Sequence, residues 1–287
     1  MSIDTQVSTI GLTPRSPTRP LRKNKNVIES RGLYVERWLP ERRSRRRPLY
    51  LLHGELGGSW VWERYLHHFA QRGWEGHALN LRAHFWSDTA DFEELDLQSY
   101  FEDALAGYDA LARPAVVVGH GMGGLLALLV AQERETAGLV LLSPALPDPI
   151  RPTSPSHVVR LVPPRFRQEL IGWAGPAELV QRQHPDLTLA DVARIQHLMG
   201  AESGAARRQM LEGVPVDPEA LGPVPRLVIG AGVDRQFPAA DSERLAEWLG
   251  AEYQPFGAHS HYGLVLGEES HEQVADAIRA FLEVHRL

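Results

Sequence analysis

The stretch Ala115-Val-Val-Val-Gly-His-Gly-Met-Gly-Gly124 decides how this chain is read. Four apolar residues run into Gly119, and the residues after Gly121 are small or apolar and open a long hydrophobic segment, Leu125–Ala131. A short apolar run bounded by glycines suits a strand buried on both faces, and the longer apolar segment suits a helix. The spacing therefore predicts a strand over Val116–Gly119, a tight turn at Gly121 and a helix over Met122–Glu133. At the apex of that turn stands a residue without a side chain.

The same rhythm extends in both directions. Towards the N-terminus it predicts strands over Gly32–Leu39, Leu49–Leu52 and His77–Leu81. Between the last two lies a helix from Ser59, as cap, through Trp62, Tyr65, Leu66 and Phe69 to the stop at Gly73; a second helix covers Ser99–Leu111. Towards the C-terminus a strand is expected over Gly138–Leu142. The alternation then lapses into a proline-rich interval and resumes with a strand over Arg226–Ile229, a helix over Asp241–Leu249, a strand near Glu252–Phe256 and a last helix, His271–His285. Alternating strands and helices mean a mostly parallel sheet with helices on both faces, an α/β fold. Within the interval, Thr188-x-x-Asp191 has the form of a capping box, and Leu189, Val192, Ile195 and Met199 recur at helical spacing. Residues 147–220 read as a helical lid inserted into a core made of 27–146 and 221–287.

Composition narrows the function classes. The net charge of −6 argues against nucleic acid as the main partner, and the absence of cysteine excludes disulfides, thiolate metal sites and a cysteine nucleophile. No apolar run approaches the ~20 residues of a membrane span. Residues 1–26 are basic and rich in Ser, Thr and Pro, without the apolar segment of a secretory signal, and read as a flexible arm of a cytoplasmic protein. Glu41–Pro48, with five arginines, reads as a solvated turn between strands.

From about residue 27 to the C-terminus the chain resembles the α/β-hydrolase superfamily. Three features carry the resemblance: His53-Gly-Glu-Leu-Gly-Gly58 after an apolar strand, Gly119-His-Gly-Met-Gly-Gly124, and the placing of Asp234 and His261 beyond the lid. The second differs by one residue from the family's nucleophile elbow, which has serine where this chain has Gly121. The family order of nucleophile, acid and base implies positions 121, 234 and 261, with Asp148 as alternative acid and His259 as alternative base. It further implies oxyanion donors at the Met122 amide and near Glu55, no metal and no cofactor. His53 and Gly54 belong to the oxyanion loop, His120 packs behind the elbow, and Phe85 and Trp86 stand near the mouth of a site for a small apolar carbonyl or ester substrate. Trp60, Trp62 and Trp173 are further aromatic candidates for a pocket or the core. The Glu55 carboxylate, which would repel negative charge on an oxyanion, is expected to face solvent; turned inward it becomes a candidate proton donor. A three-ligand metal site from His259, His261 and Asp234 is the competing reading of the histidine loop.

Glycine at 121 removes the atom that would form an acyl-enzyme and leaves a histidine–aspartate dyad. Three readings remain open: a general-base enzyme without a covalent step (lyase, cyclase, cofactor-free oxygenase or hydrolase by direct water attack), a serine esterase whose nucleophile has been replaced, and a non-catalytic ligand-binding relative.

Overall fold

The computed structural model describes residues 22–28, 31–42, 45–148, 150–152 and 154–287. Most of the expected basic arm, residues 1–21, lies outside them. Its last residues do not: β1 (Arg22–Ile28) pairs antiparallel with β2 (Leu33–Leu39), with Asn26 opposite Val35. The sheet claims residues that charge and composition assign to the arm.

Eight strands lie in the order β1-β2-β4-β3-β5-β6-β9-β10, where β3 is Leu49–Leu52, β4 Gly76–Leu79, β5 Val116–His120, β6 Gly138–Leu142, β9 Arg226–Ala231 and β10 Glu252–Phe256. The pairs β1–β2 and β2–β4 are antiparallel, and all the others are parallel. β5 sits at the centre, with Val116 between Leu49 and Gly138, and all five of its residues are buried. A strand covered on both faces is apolar along most of its length, which is why it reads as a valine run.

Helices cover both faces. On one side, α2 (Leu97–Asp109), α3 (Met122–Glu133) and α8 (Ala239–Leu249) pack Tyr100, Leu125 and Leu245 into one core cluster. On the other, α1 (Glu63–Gln71), the short α9 (Gly263–Leu266) and α10 (Ser270–Val284) pack Tyr65, Phe69, Leu264, Val274 and Ile278 into a second. Two helix starts differ from expectation. Ser59 caps nothing: residues 59–62 form a 3-10 turn, and its hydroxyl donates to Glu36 instead. Asp96 caps α2 by accepting from the Ser99 amide at 2.8 Å, so that helix begins two residues before Ser99.

Between β6 and β9 run α4 (Ser156–Leu161), β7 (Arg165–Phe166), α5 (Ala177–Gln181), α6 (Leu189–Leu198), β8 (Glu202–Ser203) and α7 (Gly204–Glu212), with β7 and β8 paired antiparallel. The Thr188–Asp191 capping box forms in both directions. Val192 and Ile195 are buried, but Leu189 from the same predicted stripe is exposed. Among the described residues no helix is long and apolar enough to cross a membrane.

β3 lies between β4 and β5, so the crossover from β3 to β4 and the next, from β4 to β5, run in opposite directions along the sheet. The carboxyl ends of strands at such a reversal leave a crevice, and in open α/β sheets ligands bind there. Gly121 lies at the carboxyl end of β5.

Candidate active site

Gly121 forms the bend between β5 and α3 with φ 56° and ψ −120°, a conformation that costs any residue with a Cβ. The bend is pinned by its own backbone: the Gly121 N–H donates to Leu142 O at 3.1 Å, and its carbonyl accepts from Ala145 and Gly124, both at 3.0 Å. Strand and helix approach so closely here that a Cβ on Gly119 would lie 2.2 Å from Gly123 O. Met122 opens α3, so its amide has no helical carbonyl one turn back to bond.

A loop from β9 brings Asp234 beneath the bend. Its Oδ1 accepts from the amides of Gln236 (2.7 Å) and Phe237 (2.9 Å), and its Oδ2 meets His261 Nδ1 at 2.7 Å. The Asp234 side chain has no exposed surface. Burial alone would push its carboxyl pKa up; the neighbouring His261, together with the hydrogen bonds it accepts, holds it below the usual carboxylate value. With Nδ1 committed, the free end of the ring faces the bend: a Cβ on Gly121 would stand 3.3 Å from both Cε1 and Nε2 of His261. The imidazole is held between two rings, His120 at 4.1 Å and Phe237 at 5.2 Å. His120 Nε2 donates to His261 O at 3.0 Å, and burial together with His261 pushes the His120 pKa well down, so that ring is neutral.

The two alternatives make other contacts. His259 is two residues from His261, but its Nε2 reaches Ser270 O at 3.3 Å and its ring lies against Phe256. The two imidazoles therefore do not converge with Asp234 as metal ligands would. Among the described residues no group of three or more His, Asp or Glu side chains is arranged to hold a metal ion. Asp148 is exposed, pairs with Pro215 in an isolated bridge and packs beside Gly213.

The loop after β3 closes over the same crevice. His53 accepts from the Leu81 amide at Nε2 (3.2 Å), which places its proton on Nδ1, bonded to Gly54 O at 2.8 Å; burial and the nearby His84 lower its pKa to about 3. Glu55 does not face solvent. It is buried, and its Oε2 accepts from Arg207 of α7 at 2.6 Å, while its Oε1 has no partner. Burial raises its pKa, Arg207 opposes that rise and Glu202 adds to it. Leu56 adopts φ 61°, and its N–H donates to Glu202 Oε2 at 3.0 Å. Glu202 and Arg207 carry no local sequence signal for these contacts, since their partners lie 146 and 152 residues away.

A cavity of about 220 Å³ borders this assembly, with Glu55, Arg207, Gln236 and Phe237 among its walls. Phe85 and Trp86 do not line it. They are 49% and 64% exposed, because the turn that carries them directs His84 inward to Glu202 and leaves the next two side chains outside. Trp60 and Trp62 belong to the core. Trp173 is buried between His184 and Tyr262.

Comparison with known proteins bears on the family. No curated protein matches the sequence at a significant level. Among solved structures, an esterase from Exiguobacterium antarcticum is similar at TM-score 0.68 and 16% identity, over 90% of this chain and 97% of that one. A thermophilic esterase from Thermogutta terrifontis is similar at 0.65 and 20%, over 93% and 100%. MenH from S. aureus is similar at 0.65 and 16%, over 88% and 99%. At these identities the likeness carries the fold alone. The model of the alpha/beta hydrolase family matches residues 49–277, from β3 into α10 and through the loops that carry Glu55, Gly121, Asp234 and His261, and the chain belongs to that family.

Proposed function

We propose that this chain is an enzyme that works without a covalent nucleophile, using His261 as a general base on a small carbonyl or ester-type substrate. The observation that carries this reading is the 2.7 Å contact between His261 Nδ1 and Asp234, with Nε2 turned to the space above Gly121. An aspartate so placed fixes the tautomer and stabilises the imidazolium that forms when Nε2 takes a proton. That proton comes from a carbon beside the carbonyl or from a water in the room left by the missing side chain. Loss of the carbon's proton sends its bonding pair into an enolate, while the hydroxide left by water adds to the carbonyl carbon as the C=O π pair moves to oxygen. Either way the carbonyl oxygen gathers negative charge, and the amides of Met122 and Glu55 are the donors that would receive it. The ion pair with Arg207 offsets the Glu55 charge, which removes the objection to a carboxylate beside an oxyanion. The segment 147–220 acts as the lid, contributing Arg207 and Met210 to the cavity.

Replacing His261 with Ala tests the reading. Turnover across a panel of carbonyl substrates should fall by about 10²–10⁴-fold, the usual contribution of a positioned general base. Unchanged turnover would remove the dyad from the chemistry.

One observation favours a second reading, a serine esterase whose nucleophile has been replaced: the bend keeps a positive φ, and a Cβ built on Gly121 needs only tenths of an ångström from the His261 ring. Gly121→Ser discriminates. Rapid labelling by a fluorophosphonate probe is expected if the remaining machinery is that of an esterase; absence of labelling leaves the non-covalent reading.

A further inference from the structure

The charges around the cavity do not all cancel. Glu55 is paired with Arg207 at 2.6 Å and Asp241 with Arg244 at 3.1 Å. Arg151 also lines the cavity, and among the described residues no carboxylate lies within ion-pair distance of it. Glu212, which borders a neighbouring hollow together with Arg151, forms no salt bridge to it.

The orientation of the guanidinium is set by its own loop. Arg151 Nη1 donates to Pro152 O at 2.7 Å and to Ser154 Oγ at 2.9 Å. That commitment leaves the edge formed by Nε and Nη2, and Nε is buried without a partner. Two N–H groups on one rigid edge match the two oxygens of a carboxylate, a fit that the point charge of a lysine does not reproduce. The remaining lining includes Ala145, Leu146, Met210 and Leu211, side chains suited to a short carbon chain. Phe237, whose ring lies 5.2 Å from that of His261, and Glu55 belong to the same lining.

We propose that this cavity binds a small carbonyl compound that carries a carboxylate, held by the Nε–Nη2 edge of Arg151 with its carbon chain against the apolar wall. Calling that ligand a substrate rests on the assignment of His261 as general base; its recognition does not. The acid-bearing compound departs from the apolar carbonyl or ester expected from sequence.

Binding of a matched pair tests the inference without turnover: monomethyl glutarate, an anion, against dimethyl glutarate, which keeps the chain and the ester but not the charge. Ligand-observed NMR titration should find the monoanion bound about 10- to 100-fold more tightly, the range of a charge-assisted hydrogen-bonded contact. Arg151→Met should abolish the preference, and Arg151→Lys should restore part of it. Equal binding of the two compounds to the wild-type protein, a preference that survives Arg151→Met, or no binding of either would each overturn the inference. The wild-type comparison decides even if a variant folds poorly. Repeating the titration with His261→Ala separates the two readings: a preference that persists beside turnover indifferent to His261 sinks the general base and keeps the carboxylate site. Turnover that depends on His261 with no preference does the reverse.

Discussion

Two buried carboxylates in this molecule each grip a histidine, and the contrast between them separates the pair proposed to do chemistry from one whose contacts are all internal. Asp234 and Glu202 both have fully buried side chains, and they meet His261 and His84 at 2.7 and 3.1 Å. His84 spends its other ring nitrogen on Arg82 O at 2.9 Å, and Glu202 also accepts from Tyr100, from its neighbouring Ser203 amide and from Leu56. Every polar atom of that pair is committed, and no atom remains to meet a ligand. His261 spends one nitrogen on Asp234 and turns the other to the space at Gly121. Burial and a carboxylate partner are common to both; a ring nitrogen with no hydrogen-bond partner among the described residues belongs to one.

The contrast can be broken by substitution. The largest expected effect is the loss of turnover in His261→Ala. Glu202→Gln should act on stability and not on the chemistry. Breaking a buried pair by neutralising one partner costs about 3–5 kcal/mol, which at roughly 2–4 °C per kcal/mol for a chain of this size lowers Tm by roughly 6–20 °C. A melting curve that does not move would show that the network holds nothing in place.

Acid titration sharpens the comparison further. The folded pKa values of His53 and His184, about 3 and about 4, lie below the ordinary 6.5, so the unfolded chain binds their protons first. Their contribution to stability is complete above 6.5 and is lost as the pH falls towards those values. Asp234 and Glu202, both depressed below ordinary carboxylates, add a loss at still lower pH. His84 has the opposite sign: burial pulls it down, but Glu202 lifts it above 6.5 overall, so its contribution is complete below 6.5 and fades as the pH rises through the folded value. Denaturant midpoints on both sides of pH 6.5 should therefore fall steeply on the acid side and slightly on the alkaline side. The alkaline decline should disappear in Glu202→Gln; its persistence there would assign it to another group. The smallest effect is expected at Asp148→Asn, an exposed acid away from His261, which should leave turnover within twofold and stability within about 0.5 kcal/mol.

Much of this was legible before any coordinate. The strand, bend and helix around Gly121 follow from an apolar run interrupted by glycines, and Asp234 and His261 sit on loops that leave the carboxyl ends of β9 and β10, where a parallel sheet gathers its loops whatever their sequence. The capping box of α6 was legible for the same reason, since both of its halves lie within four residues.

The chain by itself thus determined the local chemistry: which segments are strands, where the backbone must turn, and that no nucleophilic side chain stands at 121. Tertiary structure alone decided which of two histidines two residues apart faces the bend, that Glu55 turns inward to Arg207 while Phe85 and Trp86 stay outside, and that Glu202 grips the Leu56 amide. The physical reason is range. Hydrophobic period and turn residues act over a few positions and leave their mark there, whereas a hydrogen bond between residues 146 apart is set by how the layers pack and leaves none in either neighbourhood.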